Sequence, residues 1–118
     1  MRVVVRGVLP ALLLAGLAVT ALSCSDTNAP PDEATVQVKD FTFDPTSASI
    51  SGGGTVTWQW AGAEQHNVTW VTQSGTGDSP TQVTGTYTRN FSTAGSYDYY
   101  CTLHGTATSG MRGSVVVQ

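Results

Sequence analysis

From Thr35 to its end the chain predicts an all-β sandwich of about seven to eight short strands, and three observations carry that prediction. β-Branched and aromatic runs alternate with clusters of glycine, proline, serine and threonine. No stretch keeps a helical period for a helical length. Thr55 to Trp60 alternates strictly, with Val56, Trp58 and Trp60 on one face and Thr55, Thr57 and Gln59 on the other. Its 118 residues allow one domain.

The first two dozen residues stand apart from that domain. Arg2 and Arg6 precede an apolar run from Gly7 to Leu22, and Ala21, Leu22 and Ser23 follow the small-residue pattern of a cleavage site. Residues 1–23 therefore read as a signal peptide. A membrane-spanning helix needs about 20 apolar residues, and this run is shorter and holds Pro10 and Gly16. Cys24 comes next, and ALSC resembles the bacterial lipoprotein signal, in which the cysteine is acylated and becomes the mature N-terminus. That signal prefers leucine where Ala21 stands, and Ala-Leu-Ser also suits plain secretion. Residues 24–34, polar and containing Pro30 and Pro31, read as a lipidated N-terminus and flexible tether to a membrane.

The domain is expected at 35–118. Val36, Val38, Phe41 and Phe43 open it, and Asp44-Pro45 turns the chain because proline presets its backbone angle and cannot donate to a ladder. Thr46 to Ile50 makes a brief strand and Ser51 to Gly54 a glycine turn. After the Thr55–Trp60 strand, Ala61 to Gln65 turns, and His66, Val68 and Trp70 share a face. Gln73 to Gln82 is a polar surface loop with Asp78 solvated, and Gly85 to Phe91 is a further strand. Alternation then points Tyr97, Tyr99 and Cys101 inward and Asp98 and Tyr100 outward, and Arg112 to Val117 closes the sheet.

Chemistry gathers near the C-terminus. Cys101, His104 and Met111 stand within one turn between two strands, and the only other histidine is His66. A thiol, two imidazoles and a thioether suit copper cycling between Cu(I) and Cu(II), since sulfur favours the reduced ion and nitrogen tolerates both. Acylation of Cys24 would leave Cys101 as a single thiol in an oxidising compartment, and a metal bond would protect it.

HNV at His66 to Val68, then YDYYCTLH at Tyr97 to His104, then GMRGSVVV at Gly110 to Val117, resembles the plastocyanin-like branch of the cupredoxins, the small blue copper proteins. The resemblance covers about Phe41 to Val117. It implies a Greek-key β-sandwich holding one type 1 copper, with His66, Cys101 and His104 in a plane and Met111 as a weak axial ligand. Asn67 corresponds to the family's asparagine that ties this loop to the backbone after the copper cysteine, near Thr102. The resemblance further implies that His104, with Leu103, Gly105 and Ala107 as a small uncharged rim, forms an electron-transfer surface, and that Tyr100 marks a second route. Six residues separate His104 from Met111, more than such proteins commonly have, which leaves the axial bond open.

Charge narrows the alternatives. Once residues 1–23 are removed, Lys39, Arg89 and Arg112 face eight acidic residues, about −5 before any metal. No basic patch exists for phosphates, so no nucleic-acid partner is expected. Zinc or hydrolytic chemistry fits poorly: methionine is a poor zinc ligand and no oxyanion site accompanies the Cys-His pair. The expectation is an electron carrier rather than an enzyme, probed by transient redox partners and working as a monomer. A copper-trafficking protein without a redox circuit is the alternative.

Overall fold

The computed structural model describes residues 16, 28–72 and 77–118 of the chain. The expected signal peptide and Cys24 lie outside the described residues. Among the described residues eight strands run in order: β1 (Glu33–Lys39), β2 (Thr42–Asp44), β3 (Ser47–Ile50), β4 (Gly54–Trp60), β5 (Thr69–Trp70), β6 (Thr86–Phe91), β7 (Gly95–Gly105) and β8 (Gly110–Val117). They form two four-stranded sheets, β2-β1-β4-β6 and β3-β8-β7-β5. Both are mixed, because β1 pairs parallel to β4 and β3 parallel to β8 while every other pair is antiparallel.

The alternation read in Thr55–Trp60 sets the core. Val56, Trp58 and Trp60 are buried between the sheets, joined by Val36 and Val38 from β1, Phe43 from β2, Ile50 from β3, and Tyr99, Val115 and Val117 from β7 and β8. Trp58 is its hub, edge-on to Trp70 at 5.5 Å and to Tyr99 at 5.3 Å between ring centroids. Such edge-to-face pairs set the positive rim of one ring against the negative face of another. Arg89 is buried as well, its guanidinium 4.2 Å from the Trp70 ring centre and 4.6 Å from that of Phe91. Burial pushes its pKa below the ordinary arginine value.

Two sequence expectations are corrected here. The folded unit begins before residue 35: Glu33 and Ala34 already pair with Thr55 and Val56, and Ser51 donates from its amide to Pro31 O at 2.9 Å and from its hydroxyl to Pro30 O at 2.6 Å. Proline lacks an amide proton but keeps a carbonyl, and these carbonyls are used as acceptors, so residues 30–34 are docked rather than tether. Phe41 is not continuous with the strand before it. Lys39 pairs with Thr42, so Asp40 and Phe41 form a two-residue turn, with Phe41 at φ 67° and 63% exposed.

Candidate metal centre

His66 leaves the Ala61–Gln65 turn with its backbone held on both sides. Its amide donates to Gln82 O and its carbonyl accepts from Gln82 N, each at 3.0 Å, and Trp60 Nε1 donates to the same carbonyl at 3.2 Å. Its side chain is fully buried. Cys101, on the inward face of β7, is a free thiol and equally buried.

His104 and Met111 are placed by a break in strand register. Tyr100 pairs with Arg112 and Gly105 pairs with Gly110, so four residues, Cys101 to His104, stand opposite the single residue Met111. This large bulge curls the chain, and bulges of this kind re-aim side chains beside functional sites. Cys101 and His104 therefore turn toward one point although they are three residues apart. The six residues between His104 and Met111 do not carry the methionine away. Gly105 and Gly110 close a hairpin whose tip, Thr106 to Ser109, is tied by Thr106 N donating to Ser109 O at 2.8 Å. Close approach demands both glycines: a Cβ on Gly105 would lie 2.6 Å from Met111 N, and one on Gly110, at φ 77°, 2.6 Å from His104 O. The extra residues protrude as the tip, and Met111 stays buried, 2% exposed.

The donor atoms converge. Cys101 Sγ lies 3.8 Å from His66 Nδ1 and 3.6 Å from His104 Nδ1, and the two Nδ1 atoms are 3.1 Å apart. Bond lengths of about 2.0 Å to nitrogen and 2.3 Å to sulfur, set at 120°, place the donors roughly 3.7 Å (S to N) and 3.5 Å (N to N) apart. The triangle therefore fits one first-row ion held by one thiolate and two imidazoles. These three residues are the cluster of potential ligands among the described residues, with His66 and Cys101 buried and His104 half-buried.

Supporting bonds hold this triangle. Asn67 Oδ1 accepts from Thr102 N at 3.0 Å and from Thr69 Oγ1 at 3.1 Å, while its Nδ2 donates to Thr102 Oγ1 at 2.7 Å and Thr81 Oγ1 at 3.0 Å. One side chain thus joins the His66 segment, the loop before β6 and the residue after Cys101. Asp78, read from sequence as merely solvated, accepts from Trp70 N at 2.9 Å, and the buried Ser79 Oγ accepts from Val68 N at 2.7 Å. β5 is two residues long, so these side chains satisfy backbone amides that no strand partner reaches. Residues 73–76 of that loop lie outside the described residues.

Two neighbours escaped the sequence reading. Asp40 Oδ1 lies 3.0 Å from His66 Nε2, and the carboxylate also accepts from Ala63 N and Glu64 N. These bonds, led by that to His66, pull the Asp40 carboxyl down to about 2. Phe41 sets its ring edge-on to His104, centroids 4.9 Å apart. The available signal was Lys39-Asp40 interrupting an alternating run, since aspartate favours turns. Of the residues expected at an electron-transfer surface, Leu103 is 48% exposed, and Tyr100 is half-buried and paired with Thr69 and Arg112.

A two-sheet sandwich with a buried cysteine sulfur, two imidazoles converging on it through Nδ1 and an adjoining buried methionine defines a small blue-type copper protein, a cupredoxin. Comparison with known proteins agrees. The family described as copper binding proteins, plastocyanin/azurin family, matches residues 32–118, and the chain belongs to that family. It is 30% identical over 86 residues to plastocyanin from Scenedesmus fuscus, covering 64% of this chain and 86% of that protein. Among solved structures it is similar to a mutant of amicyanin in its reduced state, 32% identical with a TM-score of 0.61, covering 73% of this chain and 82% of the other. A purple cupredoxin from Nitrosopumilus maritimus, 23% identical with a TM-score of 0.60 over 72% of this chain and 99% of that one, shows the shared fold. Copper is the cofactor: the family is one of copper-binding proteins, and the thioether of Met111 beside one thiol and two imidazoles is a donor set that suits copper, methionine being a poor ligand for zinc.

Proposed function

We propose that the protein is an exported, membrane-tethered carrier of single electrons, with His66, Cys101 and His104 holding copper and Met111 as its weak axial ligand. When bound there, copper supplies a one-electron Cu(II)/Cu(I) couple. The observation that carries this reading is the closed, pre-shaped donor triangle. His66 and Cys101 are fully buried, and hydrogen bonds through Asn67 and Asp40 fix the segments that present them.

A rigid site of this kind keeps its shape between oxidation states, so little reorganisation opposes electron transfer. Burial also opposes release of the ion, which favours a carrier over a trafficking protein. His104 is the ligand nearest solvent, and the exposed Phe41 and Leu103 give it an apolar rim. Transient redox complexes bury below about 1,200 Å² in total, which such a rim suffices to seed. Tyr100, adjacent to Cys101 and half-buried, offers a second exit. Export and the anchor at Cys24 rest on the sequence alone. They are supported by the charged, apolar and small-residue order of residues 1–23.

The test compares two rates on the copper-loaded protein. Fast electron self-exchange with slow copper loss to a chelator is the expected result, and rapid copper transfer with negligible electron exchange would refute the carrier. Labelling with radioactive palmitate that is lost in Cys24→Ser tests the anchor.

A further inference from the structure

Resting on the copper-site reading, we propose that Asp40 is a positioning residue that assigns the two nitrogens of His66, holding Nε2–H so that Nδ1 is the bare ligand atom, and thereby biases the site toward Cu(II).

Geometry singles out Asp40. Neutral imidazole carries its proton on one nitrogen, and the partner of the other decides which. At His66 the ionised carboxylate 3.0 Å from Nε2 can only accept, so the proton belongs there. Nδ1 then faces Cys101 Sγ at 3.8 Å with its lone pair free. The two histidines differ in this respect. His104 has hydrogen-bond partners only through Nδ1, among the described residues, and no carboxylate lies against its other nitrogen.

The carboxylate is itself fixed by the amides of Ala63 and Glu64. Gly62 packs against it so closely that a Cβ there would overlap Asp40 Oδ1. The turn from β4 toward His66 has therefore been shaped around the Asp40 carboxylate. A negative charge hydrogen-bonded to a ligand makes that ligand more basic and stabilises the more positive ion, and loss of such a partner typically costs 10–100-fold in metal affinity.

Three variants of the full-length chain test this. Asp40→Asn removes the charge with little change in shape. Gly62→Ala displaces the carboxylate and keeps its charge. Glu33→Gln, at the opposite end of β1, controls for net charge alone. In the metal-free protein, imidazole 15N shifts should report a single Nε2–H tautomer for His66 in the wild type and Glu33→Gln, and a mixture in Asp40→Asn and Gly62→Ala. In the copper-loaded protein, both site variants should lose about tenfold of the preference for Cu(II) over Cu(I), a rise of about 59 mV in potential for one electron. Glu33→Gln should shift it by much less.

Unchanged tautomer and unchanged potential in both site variants would overturn the proposal. So would an equal potential shift in Glu33→Gln, since the effect would then be net charge. The tautomer readout needs no copper. A wild-type protein that fails to form the coloured site while showing the Nε2–H tautomer thus disproves the copper reading and spares the positioning role.

Discussion

Asn67→Ala is the perturbation that most directly tests how the scaffold holds the metal centre. Asn67 is 6% exposed and makes four side-chain hydrogen bonds, two of them to Thr102 directly after the ligand Cys101. A net contribution of about 1 kcal/mol per bond sets an upper bound near 4 kcal/mol. Thr81 and Thr102 are exposed, however, and Thr69 half-exposed, so water recovers part of the loss at their hydroxyls. Two bonds' worth, about 2 kcal/mol, should be lost. For a domain of this size that is roughly 8–16 °C in melting temperature, at 4–8 °C per kcal/mol. The assay is denaturant unfolding of the metal-free protein, followed by the visible spectrum after copper loading. Asn67→Asp, which keeps the acceptors for Thr102 N and Thr69, should fall between wild type and alanine. A loss below about 0.5 kcal/mol in Asn67→Ala, the range of ordinary surface substitutions, would refute the reasoning.

Further outcomes follow from the core. Gly113→Ala would set a Cβ 2.5 Å from Tyr99 Oη and 3.0 Å from Thr46 O, between a rigid ring and a backbone carbonyl, so it should cost about 1–3 kcal/mol, read from the denaturant midpoint. Burial raises the Tyr99 phenol to about 12. A raised folded value means that the resulting stability is intact below about pH 10 and disappears as pH rises toward 12, about 3 kcal/mol in all. Tyr99→Phe should lack that part of the alkaline decline, measured as the difference between the two unfolding curves at pH 9 and pH 11.5.

Much of this protein was readable in order along the chain, for physical reasons that differ by segment. Thr55–Trp60 announced its buried face because a strand between two sheets alternates, and the Tyr97–Cys101 inward set follows the same period. The donors His66, Cys101 and His104 were visible because few residue types bind copper and the chain has few of them. Asp40 and Phe41 were not visible. Their effect depends on a two-residue turn whose register, Lys39 against Thr42, sets one beside His66 and the other beside His104, far along the chain. Arg89 was missed for a related reason: a cation on the inward face of β6 contradicts the polar-out pattern, and the rings of Trp70, Phe91 and Tyr97 that take its guanidinium come from three different strands. The long His104–Met111 spacing left the place of Met111 open, since sequence counts residues whereas the Gly105–Gly110 pair folds the intervening ones into a hairpin tip.

The central claim is that one ion binds to Cys101 sulfur and to Nδ1 of both histidines. The optical and EPR spectra of the Cu(II)-loaded protein, beside those of Cys101→Ser, test it most directly. An intense visible thiolate-to-Cu(II) band with small copper hyperfine splitting, both lost in Cys101→Ser, is the predicted result. A colourless Cu(II) complex of the intact chain, or a spectrum that survives loss of the thiol, would contradict it.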